Sequence, residues 1–132
     1  MPVDYVARYS REEIQANPKA LYIFGDNFAK RGLGGQAAAA RGEPNAVGIA
    51  TKRAPSLVAS AFLTDADLAQ LQDHVAPALS RLRQHLAANG TVVMPADGIG
   101  TGLAQMPDRA PVCWRWLCDQ LSELGIENPK RV

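Results

Sequence analysis

The chain has 132 residues, two cysteines and a formal net charge of +1, from fourteen lysines and arginines against thirteen aspartates and glutamates. This length fits a single domain, residues 1–132, whose core needs no disulfide or metal. The balanced charge excludes a global field that would attract nucleic acid or an acidic membrane. Because there is no signal-peptide pattern and no apolar run of about 18 residues, we expect a cytoplasmic protein with no membrane or nucleic-acid partner.

The first twenty residues predict a strand and a short helix. Residues 3–9 alternate imperfectly and are rich in β-formers, which favours a strand that could lie at the sheet edge. Ser10 and Glu13 have the spacing of a capping box, so a helix should begin there. That helix should end before Pro18, because the residue before a proline disfavours the helical conformation.

The stretch from residue 21 to residue 41 predicts a strand, a glycine-rich loop and a helix. An apolar run at residues 21–24 stops at Gly25-Asp26-Asn27, a glycine cluster follows at residues 32–35, and strong helix formers occupy residues 36–41. Amides at a helix start lack intrahelical partners, and glycines let a ligand approach the main chain closely. The pattern therefore indicates an anionic ligand, most simply a phosphate, although such glycines can also serve only to shape a tight turn.

The middle of the chain predicts another strand and the longest helix. Residues 46–51 form the strand, in which Gly48 suggests close approach by another backbone or a ligand. Lys52 and Arg53 follow it, where phosphate-binding groups collect, but a solvated loop explains two cations equally well. Residues 64–67 cap the helix. Its apolar side chains recur every three or four residues and should face the core: Leu68, Leu71, Val75, Leu79, Leu82 and Leu86.

A second glycine-rich loop follows a predicted strand, as the first one does. Residues 91–94 predict a strand, after which Gly98, Gly100 and Gly102 surround Thr101. The carboxyl ends of parallel strands lie at the same edge of a sheet, so both loops should face one crevice.

The C-terminal third predicts one last helix and fixes the fold class. This helix should start near Asp108, tolerate Pro111 in its first turn and end at Gly125, while residues 126–132 carry no signal. Strands that alternate with helices predict an α/β fold of three layers, with a mostly parallel sheet flanked by helices.

Three polar residues after the strands are candidates for chemistry. Asp26 and Asn27 follow the first central strand, and Asp97 follows the last. The carboxylate of Asp26 or Asp97 could orient a ribose hydroxyl, bind an adenine amino group or act as a general base on water; alternatively the two aspartates only satisfy loop amides. The Thr101 hydroxyl could contact a phosphate or close its turn. No zinc-ligand spacing, Walker-type phosphate loop or nucleophile elbow is present, so we predict neither a metal nor a cofactor.

Two segments carry a family resemblance. Residues 94–107, Met-Pro-Ala-Asp-Gly-Ile-Gly-Thr-Gly-Leu-Ala-Gln-Met-Pro, resemble the Pro-x-x-Gly-x-Gly loop of macrodomains, which wraps the diphosphate and distal ribose of ADP-ribose. Asp26-Asn27, with Gly32-Leu-Gly-Gly35 and the alanine-rich helix, resembles that family's asparagine and glycine loop. Gln36-Ala-Ala-Ala stands where the family has a longer glycine run. The chain is also similar to uncharacterised bacterial and phage proteins that share Phe-Gly-Asp-Asn and Gly-x-Gly-Thr-Gly.

The resemblance implies a macrodomain-like domain that binds ADP-ribose or a related nucleotide diphosphate as its small-molecule partner. It places Asn27 near the distal ribose, so Asn27 and Asp26 are the candidate catalytic residues if an ADP-ribosyl bond is hydrolysed. The predicted ligand-binding residues are Gly25, Gly32, Gly34, Gly35, Lys52, Asp97, Gly98, Ile99, Gly100, Thr101, Gly102 and Leu103. A non-enzymatic nucleotide sensor and an interaction module with purely architectural loops remain open alternatives.

Overall fold

The computed structural model describes residues 2–129, and its centre is a four-stranded, all-parallel sheet. The strands are β1 (Val3–Val6), β2 (Ala20–Asn27), β3 (Ala46–Lys52) and β4 (Thr91–Pro95), in the order β1-β4-β2-β3. The predicted α/β class and parallel sheet are confirmed. The first strand lies at the sheet edge but ends at Val6, three residues earlier than predicted.

Five helices connect and follow these strands. They are α1 (Arg11–Ala16), α2 (Ala37–Ala40), α3 (Leu68–Ala87), α4 (Met106–Arg109) and α5 (Pro111–Glu123). Two short 3-10 turns, Ala59–Ala61 and Asp65–Asp67, precede α3. Within residues 2–129, no helix combines the length and the apolar character that crossing a membrane requires.

Apolar side chains cover both faces of the sheet. Successive strand residues point to opposite faces, so Leu21 and Ile23 of β2 join one cluster while Tyr22 and Phe24 join the other. The first cluster contains the buried stripe of α3 and residues of α4 and α5. The second, smaller cluster contains Ile14 of α1 and two alanines of α2. The predicted core-facing stripe of α3 is therefore confirmed.

Both predicted helix starts are capped by side chains. The Ser10 hydroxyl accepts a hydrogen bond from the Glu13 amide at 3.1 Å, while the Glu13 carboxylate accepts one from the Tyr22 hydroxyl. Thr64 and Asp67 form a reciprocal capping box that leads into α3. The Ser10 bond and the capping box satisfy amides that the first turn of a helix cannot satisfy itself.

Three further predicted boundaries are wrong. β2 does not stop at residue 24 but continues through Asn27, because Gly25 and Asp26 pair with Ile49 and Ala50 of β3. The helix predicted over residues 36–41 is only the single turn α2, with Gln36 as its N-cap. The last helix is two helices, since the non-helical Ala110 (φ −145°, ψ 64°) separates α4 from α5.

The strand order creates a crevice between β2 and β4. These two strands are neighbours, yet the chain leaves β2 toward α2 on one face of the sheet and leaves β4 toward α4 and α5 on the other. Such a divergence opens a crevice at the carboxyl ends of the strands, where open α/β sheets bind ligands. Both glycine loops begin at this point.

Candidate functional site

One cleft of about 890 Å³ lies at the carboxyl ends of the strands. Four chain segments line it: residues 7–9, the segment from 25 to 41, the segment from 51 to 57, and the segment from 95 to 104. All fourteen residues predicted for the site line this cleft. The structure thus brings the two glycine loops together, as the parallel arrangement predicts.

Asp26 is held in an ion pair at the floor of the cleft. Its Oδ1 accepts hydrogen bonds from the Arg41 guanidinium at 2.5 Å and from the Asn27 amide at 2.8 Å. Its Oδ2 lies only 2.6 Å from the position that a Cβ on Gly48 would occupy. Gly48 is therefore needed to accommodate the side chains of Asp26 and Phe24, which corrects the expectation that another backbone or a ligand approaches it.

Asn27 is buried, with 7% of its surface exposed, and holds the loop above it. Its Nδ2 donates to the Arg31 carbonyl at 2.7 Å, which fixes the amide orientation because an oxygen in that place would face another oxygen. Its Oδ1 is buried and has no hydrogen-bond partner in the structure. Buried acceptors are rarely left unpaired, so Asn27 retains the capacity to accept one hydrogen bond.

Arg41 is one of the cleft residues that sequence reasoning missed. Its Nε donates to the Gly32 carbonyl at 2.8 Å, its NH2 group reaches the Arg31 carbonyl at 3.2 Å, and its guanidinium lies 5.5 Å from the centre of the Phe24 ring. With the Asp26 ion pair, these bonds tie the first glycine loop to β2. Its sequence position, after an alanine run and fifteen residues from Asp26, gives no local signal of this role.

The first glycine loop contacts the loops after β3 and β4. Gly32 has a φ of +95°, and a Cβ there would lie 2.6 Å from the Pro55 side chain. A Cβ on Gly34 would lie 3.9 Å from the Leu103 side chain, which is an ordinary contact distance. Since α2 has only one turn, the predicted anion site on a helix dipole is not supported; the glycines instead permit close loop packing.

The second glycine loop uses several of its polar groups internally. The Gly98 amide donates to the Pro95 carbonyl, and the Ile99 amide donates to Asn128 Oδ1 at 2.8 Å. The Thr101 hydroxyl donates to the Asp97 carbonyl at 2.8 Å, so in this structure it closes the turn. The Gly98 amide, the Ile99 amide and the Thr101 hydroxyl are therefore engaged within the protein.

Lys52 and Arg53 have different surroundings. Lys52 lines the cleft, where its Nζ donates to the Ser56 carbonyl at 2.6 Å and lies 4.6 Å from the Phe62 ring centre. Burial, and then the charge of Arg109 at the same ring, lower the Lys52 pKa. Arg53 forms an ion pair with Asp67 and is not among the cleft-lining residues. Only the first of the two predicted cations belongs to the site.

The cleft combines positive charge with an apolar rim. Its lining contains the cations Arg8, Arg31, Arg41 and Lys52 but only two carboxylates, Asp26 and Asp97. Three leucines from three different loops also line it, and each is well exposed: Leu33 at 66%, Leu57 at 68% and Leu103 at 61%. These exposed leucines are available for contact with an apolar ligand surface. Within residues 2–129, no three His, Cys, Asp or Glu side chains come close enough together to hold a metal ion.

Comparison with known proteins gives a family but no activity. No curated protein and no solved structure matches the sequence significantly. Residues 4–120, which include the whole cleft lining, match a family of unknown function. The chain therefore belongs to this family of unknown function, DUF7831.

Proposed function

We propose that the cleft binds ADP-ribose or a related nucleoside diphosphate through its two glycine loops. The observation that carries the proposal is the convergence of both loops, with four cationic side chains, on one cleft. A cleft of about 890 Å³ is within the range of small-molecule sites. A cationic lining suits a diphosphate, because charge-assisted hydrogen bonds to phosphate oxygens are stronger than neutral ones.

The resemblance of residues 94–107 to the macrodomain phosphate loop supports the same ligand class. Apolar clusters on both faces of the sheet are what a macrodomain-like, three-layer arrangement would require. A fold likeness would not fix the ligand by itself, so the proposal depends on the groups in the cleft.

The groups in the cleft suggest how such a ligand would lie. The diphosphate would contact residues 100–103 and the cations, while the free acceptor Asn27 Oδ1 would take a hydrogen bond from a ribose hydroxyl. Because this oxygen is buried, the hydroxyl could reach it only if neighbouring residues shift. The exposed leucines at the rim would cover the apolar faces of the base.

Binding without hydrolysis is the second candidate, and the Asp26 ion pair favours it. A general base must be able to reach the proton that it removes, and Asp26 Oδ1 already accepts hydrogen bonds from Arg41 and Asn27, which leaves only Oδ2 for that role. An assay for release of ADP-ribose from an ADP-ribosylated peptide separates the two candidates. A hydrolase loses turnover in Asn27→Ala while retaining much of its binding, whereas a sensor shows no turnover in the wild type.

Thermal denaturation with millimolar ADP-ribose, AMP, NAD or inorganic phosphate tests the binding proposal. A ligand at a hundred times its Kd adds about 2.7 kcal/mol to the free energy of unfolding, which raises the Tm of a domain this size by several degrees. We expect ADP-ribose to give the largest shift. If none of the four compounds changes the Tm, the proposal is wrong and the loops are architectural.

A further inference from the structure

The segment of residues 126–129 crosses the second glycine loop and is anchored at several points. Ile126 is fully buried, and its amide donates to the Leu121 carbonyl at 2.9 Å. The Glu127 amide donates to the Tyr5 hydroxyl at 2.9 Å, and that hydroxyl lies 3.1 Å from the Glu127 carbonyl. We call this segment the C-terminal strap. Residues 130–132 lie outside the described part of the chain.

The Asn128 side chain forms hydrogen bonds with both backbone polar groups of Ile99 in the second glycine loop. Its Oδ1 accepts from the Ile99 amide at 2.8 Å, and its Nδ2 donates to the Ile99 carbonyl at 3.1 Å. The same Nδ2 lies 3.4 Å from the Cys118 sulfur on α5. An amide side chain that pairs with both groups of one residue fixes the direction of the flanking peptide planes.

Gly98 shows how closely the strap fits the loop. Its φ is +79°, and a Cβ there would lie 2.6 Å from both Asn128 Oδ1 and the Pro129 carbonyl oxygen. The loop is enclosed on another side as well, because a Cβ on Gly100 would lie 2.7 Å from the Met106 sulfur. The path of residues 98–100 is therefore set by contacts with the strap and with α4.

We infer that Asn128 is a positioning residue of the cleft: it holds residues 98–100 and thereby sets the path of residues 100–103, which receive the anionic part of the ligand. Asn128 is not among the described residues that line the cleft, so it acts through Ile99 and not by contact. It also lies beyond residues 4–120, the part that matches the family. The inference rests on the proposed function for the existence of a ligand, but the restraint of residues 98–100 by Asn128 is measurable without a ligand.

The test combines amide hydrogen exchange at Ile99 with calorimetric titration of ADP-ribose, in the wild type and in Asn128→Ala. Loss of the hydrogen bonds between Asn128 and Ile99 should accelerate exchange of the Ile99 amide by about tenfold or more. We expect the affinity for ADP-ribose to fall by about tenfold as well. Cys118→Ala is the matched control, because it leaves both bonds to Ile99 intact, and it should exchange like the wild type.

Asn128→Asp provides a second variant should Asn128→Ala fail to fold. It keeps an acceptor for the Ile99 amide but loses the donor to the Ile99 carbonyl, so binding should weaken while the amide stays partly protected. Unchanged exchange in Asn128→Ala, or faster exchange with unchanged affinity, overturns the inference and leaves the proposed function standing. A wild type that binds no ADP-ribose overturns the proposed function, and with it the role of Asn128 in positioning a ligand site.

Discussion

Replacement of Gly98 by alanine should destabilise the protein, because the added methyl group causes both backbone strain and a steric clash with the C-terminal strap. Gly98 has a left-handed φ of +79°, and a non-glycine residue there costs about 1–2 kcal/mol. The added Cβ would also lie 2.6 Å from Asn128 Oδ1 and from the Pro129 carbonyl. Moving the strap away breaks the two bonds to Ile99, at about 1 kcal/mol each. Together these costs predict a loss of about 3 kcal/mol in the free energy of unfolding.

Urea denaturation and calorimetry of Gly98→Ala measure this loss, which should lower the Tm by about 10 °C. Gly102→Ala is the matched control in the same loop, because Gly102 has no positive φ and a Cβ there meets nothing within 4 Å. Its stability should stay within about 0.5 kcal/mol of the wild type or rise slightly. Equal stability of the two variants would refute the assigned role of the strap and of the Gly98 backbone.

Three further predictions concern the cleft and the core. Arg41→Met leaves Asp26 without its ion-pair partner and should lower the free energy of unfolding by about 2–3 kcal/mol in urea titrations, whereas the exposed Arg83→Met should change it by less than about 0.5 kcal/mol. Burial, followed by the charges of Asp65 and Asp67, raises the pKa of the Cys113 thiol from 9.0 to about 11. As the pH rises, the thiol of the unfolded protein ionises first, so its contribution to the free energy of unfolding is full below pH 9 and is lost between pH 9 and pH 11. The free energy of unfolding of Cys113→Ala should therefore fall less over this range than that of the wild type. An equal fall would contradict the raised pKa of Cys113. Leu57→Ser should weaken ADP-ribose binding by about tenfold but leave pyrophosphate binding unchanged in calorimetric titrations, while Val112→Ser changes neither.

The sequence predicted those parts of the fold that depend on local patterns. The stripe from Leu68 to Leu86 repeats every three or four residues, and the capping pair Thr64 and Asp67 marks the start of the helix, so α3 followed from local chemistry. The convergence of the glycine loops was predictable because the carboxyl ends of parallel strands share one edge.

Element lengths were less predictable where pairing overrides propensity. Gly25 and Asp26 are poor strand formers, yet they continue β2 because β3 lies alongside them. The four alanines of α2 favour a helix, but glycines at positions 35 and 42 leave room for only one turn.

Arg41 and Asn128 could not be identified from the sequence, because their roles depend on contacts between distant segments. Arg41 meets Asp26 across fifteen residues, and Asn128 meets Ile99 across twenty-nine. Neither residue lies in a motif whose spacing indicates these bonds. The second glycine loop is held by the C-terminal strap, residues 126–129, whose sequence contains no recognisable motif.

Calorimetric titration of ADP-ribose into the wild type, Gly102→Asn and Gly102→Asp tests the binding proposal most directly. Position 102 lines the cleft and has space for a side chain, and the two variants differ in charge but hardly in size. A carboxylate beside a bound diphosphate should cost at least about 1.4 kcal/mol, or tenfold in Kd, relative to the amide. We expect the wild type and Gly102→Asn to bind ADP-ribose and Gly102→Asp to bind it at least tenfold more weakly. Absence of binding to the wild type, or equal affinities of the Asn and Asp variants, would contradict the account.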